Sequence, residues 1–341
     1  MTIALDATYS LGEEPSGVGI YSREVLFGLA LAHREERFAF YYRPHRYFRS
    51  WSQPLPDNVR RRLLAGPFPP RAELFHGLNQ RLPRLRSRRT VATFHDLFVL
   101  SAEYSTPDFR ARFAAQARDA AERADAIIAV SHFTKSQLTA LLNVEPSRIH
   151  VVHHGCRQLP RTERPREPVI LTVGAIQKRK NTIRLVEAFE SVDLRWRLVL
   201  AGSAGYGSNE ILARIASSKA RERITVTGYV SSADLASWYA RASIFAFPSL
   251  DEGFGMPVLE AMAAGVPVLT SNCSALPEVA GDAALLVDPA STQAIAEGLR
   301  KLMYDEDLRA QSARKGLARA QLFPWDTAVQ KTWRVYQSLA G

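Results

Sequence analysis

Along this chain, short apolar runs rich in β-branched residues alternate with longer stretches in which apolar positions recur at helical spacing. Apolar runs of this kind suit strands buried on both faces, and amphipathic stretches suit helices laid over them. The alternation therefore predicts βα units around parallel sheets. In the first half the strand candidates are 3–7, 38–42, 73–76, 90–95, 126–130 and 149–153, with helices over 18–33 and 108–123. A polar stretch at Gln158–Pro168, QLPRTERPREP, then breaks the rhythm and reads as a linker. The pattern restarts with strands at 169–173, 197–201, 224–227, 244–247, 266–270 and 283–287. Helices are expected near 181–190, 209–220, 232–241, 257–264 and 291–303, followed by terminal helices at 306–322 and 325–339. The chain thus reads as two doubly wound, Rossmann-like α/β domains, residues 1–160 and 161–324, with 325–341 as a closing helix able to cross back to the first domain. Ligands of such sheets bind outside the carboxyl ends of the strands.

A length of 341 residues supplies two cores, and 46% hydrophobic with 23% charged residues is an ordinary globular composition. No run approaches the roughly 20 apolar residues of a membrane span, and the start, MTIALDATYS, lacks the charged and apolar regions of a secretion signal. Cys156 and Cys273 are far apart in sequence, which gives no metal-ligand spacing and no disulfide framework and points to a reducing, cytoplasmic setting. The net charge of +10 is local: residues 34–89 hold 14 arginines and four acids. Such a face suits an anionic membrane surface, on the inner side of which the protein would sit peripherally, or another polyanion. With 37 of the 44 cations being arginine, an arginine-rich solvated surface is the plainer alternative. No zinc-finger spacing or RNP-type aromatic run supports specific nucleic-acid binding.

The segment Phe247–Gly265, FPSLDEGFGMPVLEAMAAG, carries the most chemistry. A strand ending at Phe247 runs through a glycine-bearing turn to Pro257, a good first residue of a helix. The amides on either side of it, those of Met256 and Val258, then lie at a helix N-terminus, where a diphosphate can be held. Gly253 and Gly255 let backbone approach a ligand. Glu252 and Glu260 bracket that anion site, and a carboxylate there is best used on hydroxyls, so a sugar is the economical partner; otherwise one is a loop acid and the other a surface helix residue. A second strand end, Val173–Asn181 (VGAIQKRKN), sets Lys178, Arg179 and Lys180 where a departing nucleoside diphosphate needs positive charge. A solvated charge run is the alternative.

These segments resemble the retaining glycosyltransferases of family 4, a resemblance that spans nearly the whole chain and is strongest over 170–290. It implies the GT-B fold, two Rossmann-like domains facing across a cleft, and a nucleoside diphosphate sugar as donor with no other cofactor. Its pattern of two glutamates separated by seven residues is met by Glu252 and Glu260. The first then contacts donor-sugar hydroxyls beside the amides of Phe254, Gly255 and Met256, and the second holds the nucleotide ribose. Lys180 matches the family lysine; Ala175 stands where some members carry the arginine, so that role passes to Arg179 in the Arg-Lys-Asn form of the turn that begins at Gly174. Gly17 and Gly19 resemble the family's loop over the diphosphate. His95 in TFHDL resembles its histidine facing the donor sugar, with Asp96 and Ser131 on the acceptor side. Gly228, Tyr229 and Val230 resemble the segment that receives the base. His154 replaces a family asparagine and inherits no role. Asp305 and Asp307 match a metal-binding Asp-x-Asp but lie between helices, where Asp305 is expected to cap, so no metal is expected.

The implied reaction moves a hexose to a hydroxyl of a glycan or lipid-linked glycan, and the Arg-Lys-Asn turn resembles members using GDP-mannose ahead of UDP- or dTDP-sugars. Rival readings are a GT-B sugar-nucleotide epimerase and a nicotinamide-dependent oxidoreductase. For the latter the third fingerprint glycine falls at Ser22.

Overall fold

The computed structural model describes residues 2–12, 16–66, 71–83, 87–157 and 165–340. The predicted linker lies mostly outside the described residues, at 158–164, together with the 160/161 boundary; its last two residues already belong to a strand. The chain forms two compact units. The first comprises Met1–Ser101, Pro107–Gly155 and Phe323–Gly341, the second Ala102–Thr106 and Cys156–Leu322.

In the first unit seven strands form one parallel sheet: β1 (Thr2–Asp6), β2 (Arg37–Tyr42), β3 (Val59–Leu63), β4 (Leu74–Gly77), β5 (Arg89–Phe94), β6 (Ala126–Ala129) and β7 (Ile149–Val151). Their order is β3-β2-β1-β4-β5-β6-β7. Side chains of a strand alternate between faces, and here each face has its own core. Ile3, Leu5, Phe38 and Phe40 pack with the helices Gly17–Ala32 and Trp325–Ala340, while Ala4, Phe75, Ala92 and Phe94 pack with Pro107–Arg123. This double burial is why the strands read as unbroken apolar runs. Edge strand β3 breaks the rule: its VRRRL leaves Arg60 and Arg62 in solvent, a protective pattern for an exposed edge, and the hydrophobic pattern gave no sign of it. The helices His132–Leu142 and Leu276–Ala280 also went unpredicted.

The second unit holds β8 (Glu167–Val173), β9 (Arg197–Ala201), β10 (Ile224–Gly228), β11 (Ala242–Phe247), β12 (Val268–Ser271) and β13 (Ala284–Val287), parallel and ordered β10-β9-β8-β11-β12-β13. Ile170, Leu198, Leu200 and Ile244 face the helices Thr182–Glu190 and Thr292–Tyr304 through Leu185, Phe189, Leu299 and Leu302. Asp305 caps Glu306–Gln321 by accepting from the Leu308 amide at 2.8 Å. Both units therefore carry the expected doubly wound α/β organisation. No helix among the described residues is long and apolar enough to cross a membrane.

Two features of the first unit yield tests. Gly28 lets two helices touch, since a Cβ there would sit 2.4 Å from Val329 Cγ2. Alanine would gain about 1 kcal/mol of helix propensity and lose about 1–3 kcal/mol to overlap. Gly28→Ala is therefore expected to lower the urea midpoint, and an unchanged or raised midpoint would contradict this packing. Buried His76 links β4 to β5 and the last helix, with Nδ1 2.5 Å from Tyr336 Oη and Nε2 2.8 Å from Thr93 Oγ1. Burial, aided by nearby His95, pushes its imidazole from 6.5 down to about 3. The unfolded chain thus binds the proton first, so stability is full above 6.5 and declines as pH falls toward 3, at about 1.4 kcal/mol per pH unit for each such group. Melting followed from pH 7 to pH 4.5 should fall, and less steeply in His76→Gln.

Candidate active site

Strand order in the second sheet reverses between β8 and β11. The connections leaving these two strands run to opposite sides, which opens a crevice at their carboxyl ends. Hydrogen bonds join the two loops that border it. Asn181, in the left-handed region at φ 59°, donates through Nδ2 to Pro248 O at 3.0 Å and Pro289 O at 2.7 Å. Arg179 O accepts from the Leu250 amide at 2.8 Å, and Ser249 Oγ lies 3.1 Å from it.

The three clustered cations take different directions. Lys178 turns outward to Glu210, at 2.8 Å, on an exposed face. Arg179 and Lys180 turn inward onto Glu252: Arg179 Nη1 is 2.8 Å from Oε2, and Lys180 Nζ donates to Oε1 at 2.6 Å. Arg179 also donates to Asp251 O, Ser249 Oγ donates to Glu252 Oε1 at 2.6 Å, and Lys180 Nζ lies 4.5 Å above the Phe247 ring. Glu252 is 7% exposed. Burial alone would raise its pKa; Arg179, Lys180 and the hydrogen bonds from Lys180 and Ser249 outweigh that and hold it down at about 2. The carboxylate is thus ionised across the physiological range.

The helix Met256–Ala263 begins one residue earlier than expected, with Gly255 as N-cap and Pro257 second. Gly255 has φ 105°, and a Cβ there would lie 2.7 Å from Leu276 Cδ2, so the turn that sets the amides of Phe254, Gly255 and Met256 requires glycine. Val258 is buried, and its amide returns to Gly255 O at 3.0 Å. One turn on, buried Glu260 accepts from Tyr239 Oη at 3.1 Å. Burial pushes its carboxyl up against the opposing pull of Arg157 and Tyr239. Glu252 and Glu260 are therefore in opposite electrostatic settings. Along the same sheet edge, a Cβ on Gly202 would come within 2.0 Å of Gly174 O, and Gly202 bridges Gly228, so the ends of β8, β9 and β10 are drawn together. Tyr229 is 53% exposed beside them.

In the first unit, Gly17 and Gly19 open the helix Gly17–Ala32, capped by Ser16 through the Gly19 amide at 3.3 Å. His95 Nε2 lies 2.9 Å from Leu78 O and Nδ1 3.4 Å from His154 Nε2; its ring meets Tyr21 edge-on, with centroids 4.7 Å apart. Desolvation lowers His95 to about 4, so it is neutral, and the Leu78 carbonyl fixes the Nε2–H tautomer. Asp96 follows it, half-buried. Ser131 is fully buried as an N-cap, accepting from the Thr134 amide at 2.9 Å and donating to Thr134 Oγ1 at 3.0 Å. The structure thus brings Arg179, Lys180 and Glu252 into direct contact, gives Glu260 a separate partner, and commits the Ser131 hydroxyl to a cap. Ser249, Tyr239 and His154 are participants that sequence reasoning missed. For Ser249, three residues before Glu252, the loop sequence offered a hint; for Tyr239 and His154 only the fold supplies the contact.

Comparison with known proteins follows the same lines. Residues 18–157 match the family described as Glycosyltransferase Family 4, and residues 159–319 the family described as Glycosyl transferases group 1. The O-antigen chain mannosyltransferase B of Escherichia coli is 33% identical over 285 residues, which cover 78% of this chain and 74% of that protein. Sucrose-phosphate synthase from Thermosynechococcus elongatus superposes with a TM-score of 0.79 at 22% identity, covering 99% of this chain and 98% of that one. Anabaena HepE, solved with UDP and glucose, gives a TM-score of 0.74 at 18% identity, covering 100% and 99%. At these identities the solved structures speak for the GT-B fold, and the sequence match speaks for the family: this chain belongs to the glycosyltransferases of family 4.

Proposed function

We propose that this glycosyltransferase moves a hexose, mannose first, from a nucleoside diphosphate sugar, GDP-mannose first, to a hydroxyl of a glycan or lipid-linked glycan, with retention at the anomeric carbon. The observation that carries this reading is the buried Glu252 held ionised between Arg179 and Lys180 at the β8/β11 crevice. An ionised carboxylate accepts hydrogen bonds from sugar hydroxyls, while the adjoining cations face charge that grows on a leaving diphosphate. Lys180, with 12% of its side chain exposed, is assigned to the diphosphate. Arg179 braces the loop and supplies field. Glu260, on its separate helix turn, is assigned to the ribose, and the edge at Gly228, Tyr229 and Val230 to the base. His95 and the Gly17–Gly19 loop keep their family assignments to the donor. In the reaction the acceptor oxygen bonds to the anomeric carbon on the face the diphosphate leaves, the carbon–diphosphate bond breaks, and the acceptor proton passes to a diphosphate oxygen. Similarity to an O-antigen mannosyltransferase supports the choice of mannose.

The basic face of the first unit is assigned to an anionic membrane surface, from the cytoplasmic side. Phe48 and Trp51 are 82% and 64% exposed on one turn, beside exposed Arg49, with Arg61 stacked 5.0 Å from the Trp51 ring centre. Aromatic rings between cations are the side chains that sit at a bilayer interface.

Glu252→Gln and Lys180→Ala should each lower sugar transfer from GDP-mannose by about 100-fold or more, with the nucleotide still bound in a thermal-shift assay and wild-type turnover unchanged by EDTA. Near-normal turnover in both variants would remove the site assignment. In sedimentation at low salt, vesicles containing phosphatidylglycerol should bind the protein more strongly than neutral ones, and Phe48→Ser/Trp51→Ser should lose most of that binding; equal binding to both lipids would refute the docking face.

A further inference from the structure

A cleft of about 400 Å³ lies within the first unit, lined by Arg43, Arg81, Gln116 and Asp119 between walls that include Leu64 and Leu82. Arg43 directly follows β2, Leu64 follows β3 and Arg81 comes just after β4, so the cleft sits at the carboxyl edge of the sheet, where open α/β sheets bind ligands. Gln116 and Asp119 enter from one face of the helix Pro107–Arg123, three residues apart.

The charges lining it do not cancel. Asp119 is already engaged by Arg123, whose Nε donates to Oδ1 at 2.9 Å. Arg43 lies 3.6 Å from Asp6, a looser pair whose carboxylate is 1% exposed and turned toward the core. Arg81 pairs with no acidic side chain among the described residues, and it lines the cleft beside Leu82. Its backbone is nevertheless set firmly, with its amide donating to Asn79 Oδ1 at 3.0 Å. A guanidinium that lines a cleft without a carboxylate partner is available to an anion that enters it. Two guanidinium forks beside a side-chain amide suit the oxygens of a phosphate, and apolar walls strengthen such pairs by lowering the local dielectric.

We propose that this cleft binds the phosphate or diphosphate group of a phosphate-bearing acceptor; the acceptor part of the proposal rests on the transferase reading, and the anion site does not. The volume lies within the range of small-molecule sites, about 300–1,000 Å³. It admits a diphosphate with its first sugar, or with the first carbons of a lipid lying along Leu64 and Leu82.

The test is equilibrium dialysis of labelled inorganic pyrophosphate with the full chain in saturating GDP, which fills the donor crevice. Wild type should bind pyrophosphate, Arg81→Gln should weaken binding at least about tenfold, Arg81→Lys should recover part of it, and Lys180→Ala should match wild type. Arg81 is preferred to Arg43 because its guanidinium holds no carboxylate of the core. A soluble sugar 1-phosphate and a micellar prenyl diphosphate are then added as competitors, and whichever displaces pyrophosphate identifies the source of the phosphate. The proposal is overturned if Arg81→Gln binds like wild type, if Lys180→Ala is the variant that loses binding, or if neither competitor displaces pyrophosphate. Arginine-dependent binding and displacement in a protein that transfers no sugar would keep the anion site while removing the transferase reading.

Discussion

The second unit is organised around one buried carboxylate. Glu252 has almost no contact with water, and an ion so placed is tolerated only when opposite charge and hydrogen bonds replace its solvation. Arg179, Lys180 and Ser249 do so from loops that belong to two different strands. Once the ion cluster forms, the loops after β8 and β11 are no longer independent. The bond from the Leu250 amide to Arg179 O, and that from the Asn181 side chain to Pro248 O, complete one border to the crevice. Removing a single member leaves a charge stranded in a low-dielectric setting, typically at about 3–5 kcal/mol, which ties the architecture of the loops to the chemistry they carry.

That arrangement suits group transfer from a charged donor. Preorganised charge lowers a barrier because it needs no reorientation as the leaving group departs. Here the lysine is held by a carboxylate on one side and an aromatic face on the other, so its position is set before any substrate arrives. Glu260 makes a contrast: a single hydroxyl partner and a carboxyl pushed upward suit hydrogen bonding to a neutral group more than holding a fixed ion pair. Two acids eight residues apart in one family motif are thus tuned in opposite directions, one by salt-bridging and one by burial.

The first unit uses neutral polar groups instead. His76, His95 and His154 are all pushed down by desolvation, and the bonds from Tyr336 through His76 and Thr93 to Tyr21 form a chain without net charge. Its positive charge lies outside, on the arginines of residues 34–89 described around β2, β3 and β4, while the cations beside Glu252 belong to the other unit. The basicity of the chain and the ion cluster around Glu252 are therefore separate features.

Much of this organisation is legible in the sequence. Strands buried on both faces leave unbroken apolar runs, so the two sheets and most of their helices follow from periodicity, and the turn chemistry of VGAIQKRKN and LDEGFGMP marks two strand ends with charge and glycine. Edge strand β3 escaped because only Val59 of its five residues is buried and three of the others are arginine. The pairing of Glu252 with Arg179 and Lys180 was equally hidden, because it depends on β8 and β11 being neighbours across more than 70 positions of chain. Sequence determined which residues stand at strand ends; strand order decided which of those ends meet. It joined Tyr239 to Glu260 and gathered Arg43 and Arg81 around one cleft. Local patterns encode how a segment folds against an apolar surface, whereas the meeting of two charges depends on topology, which no local pattern contains.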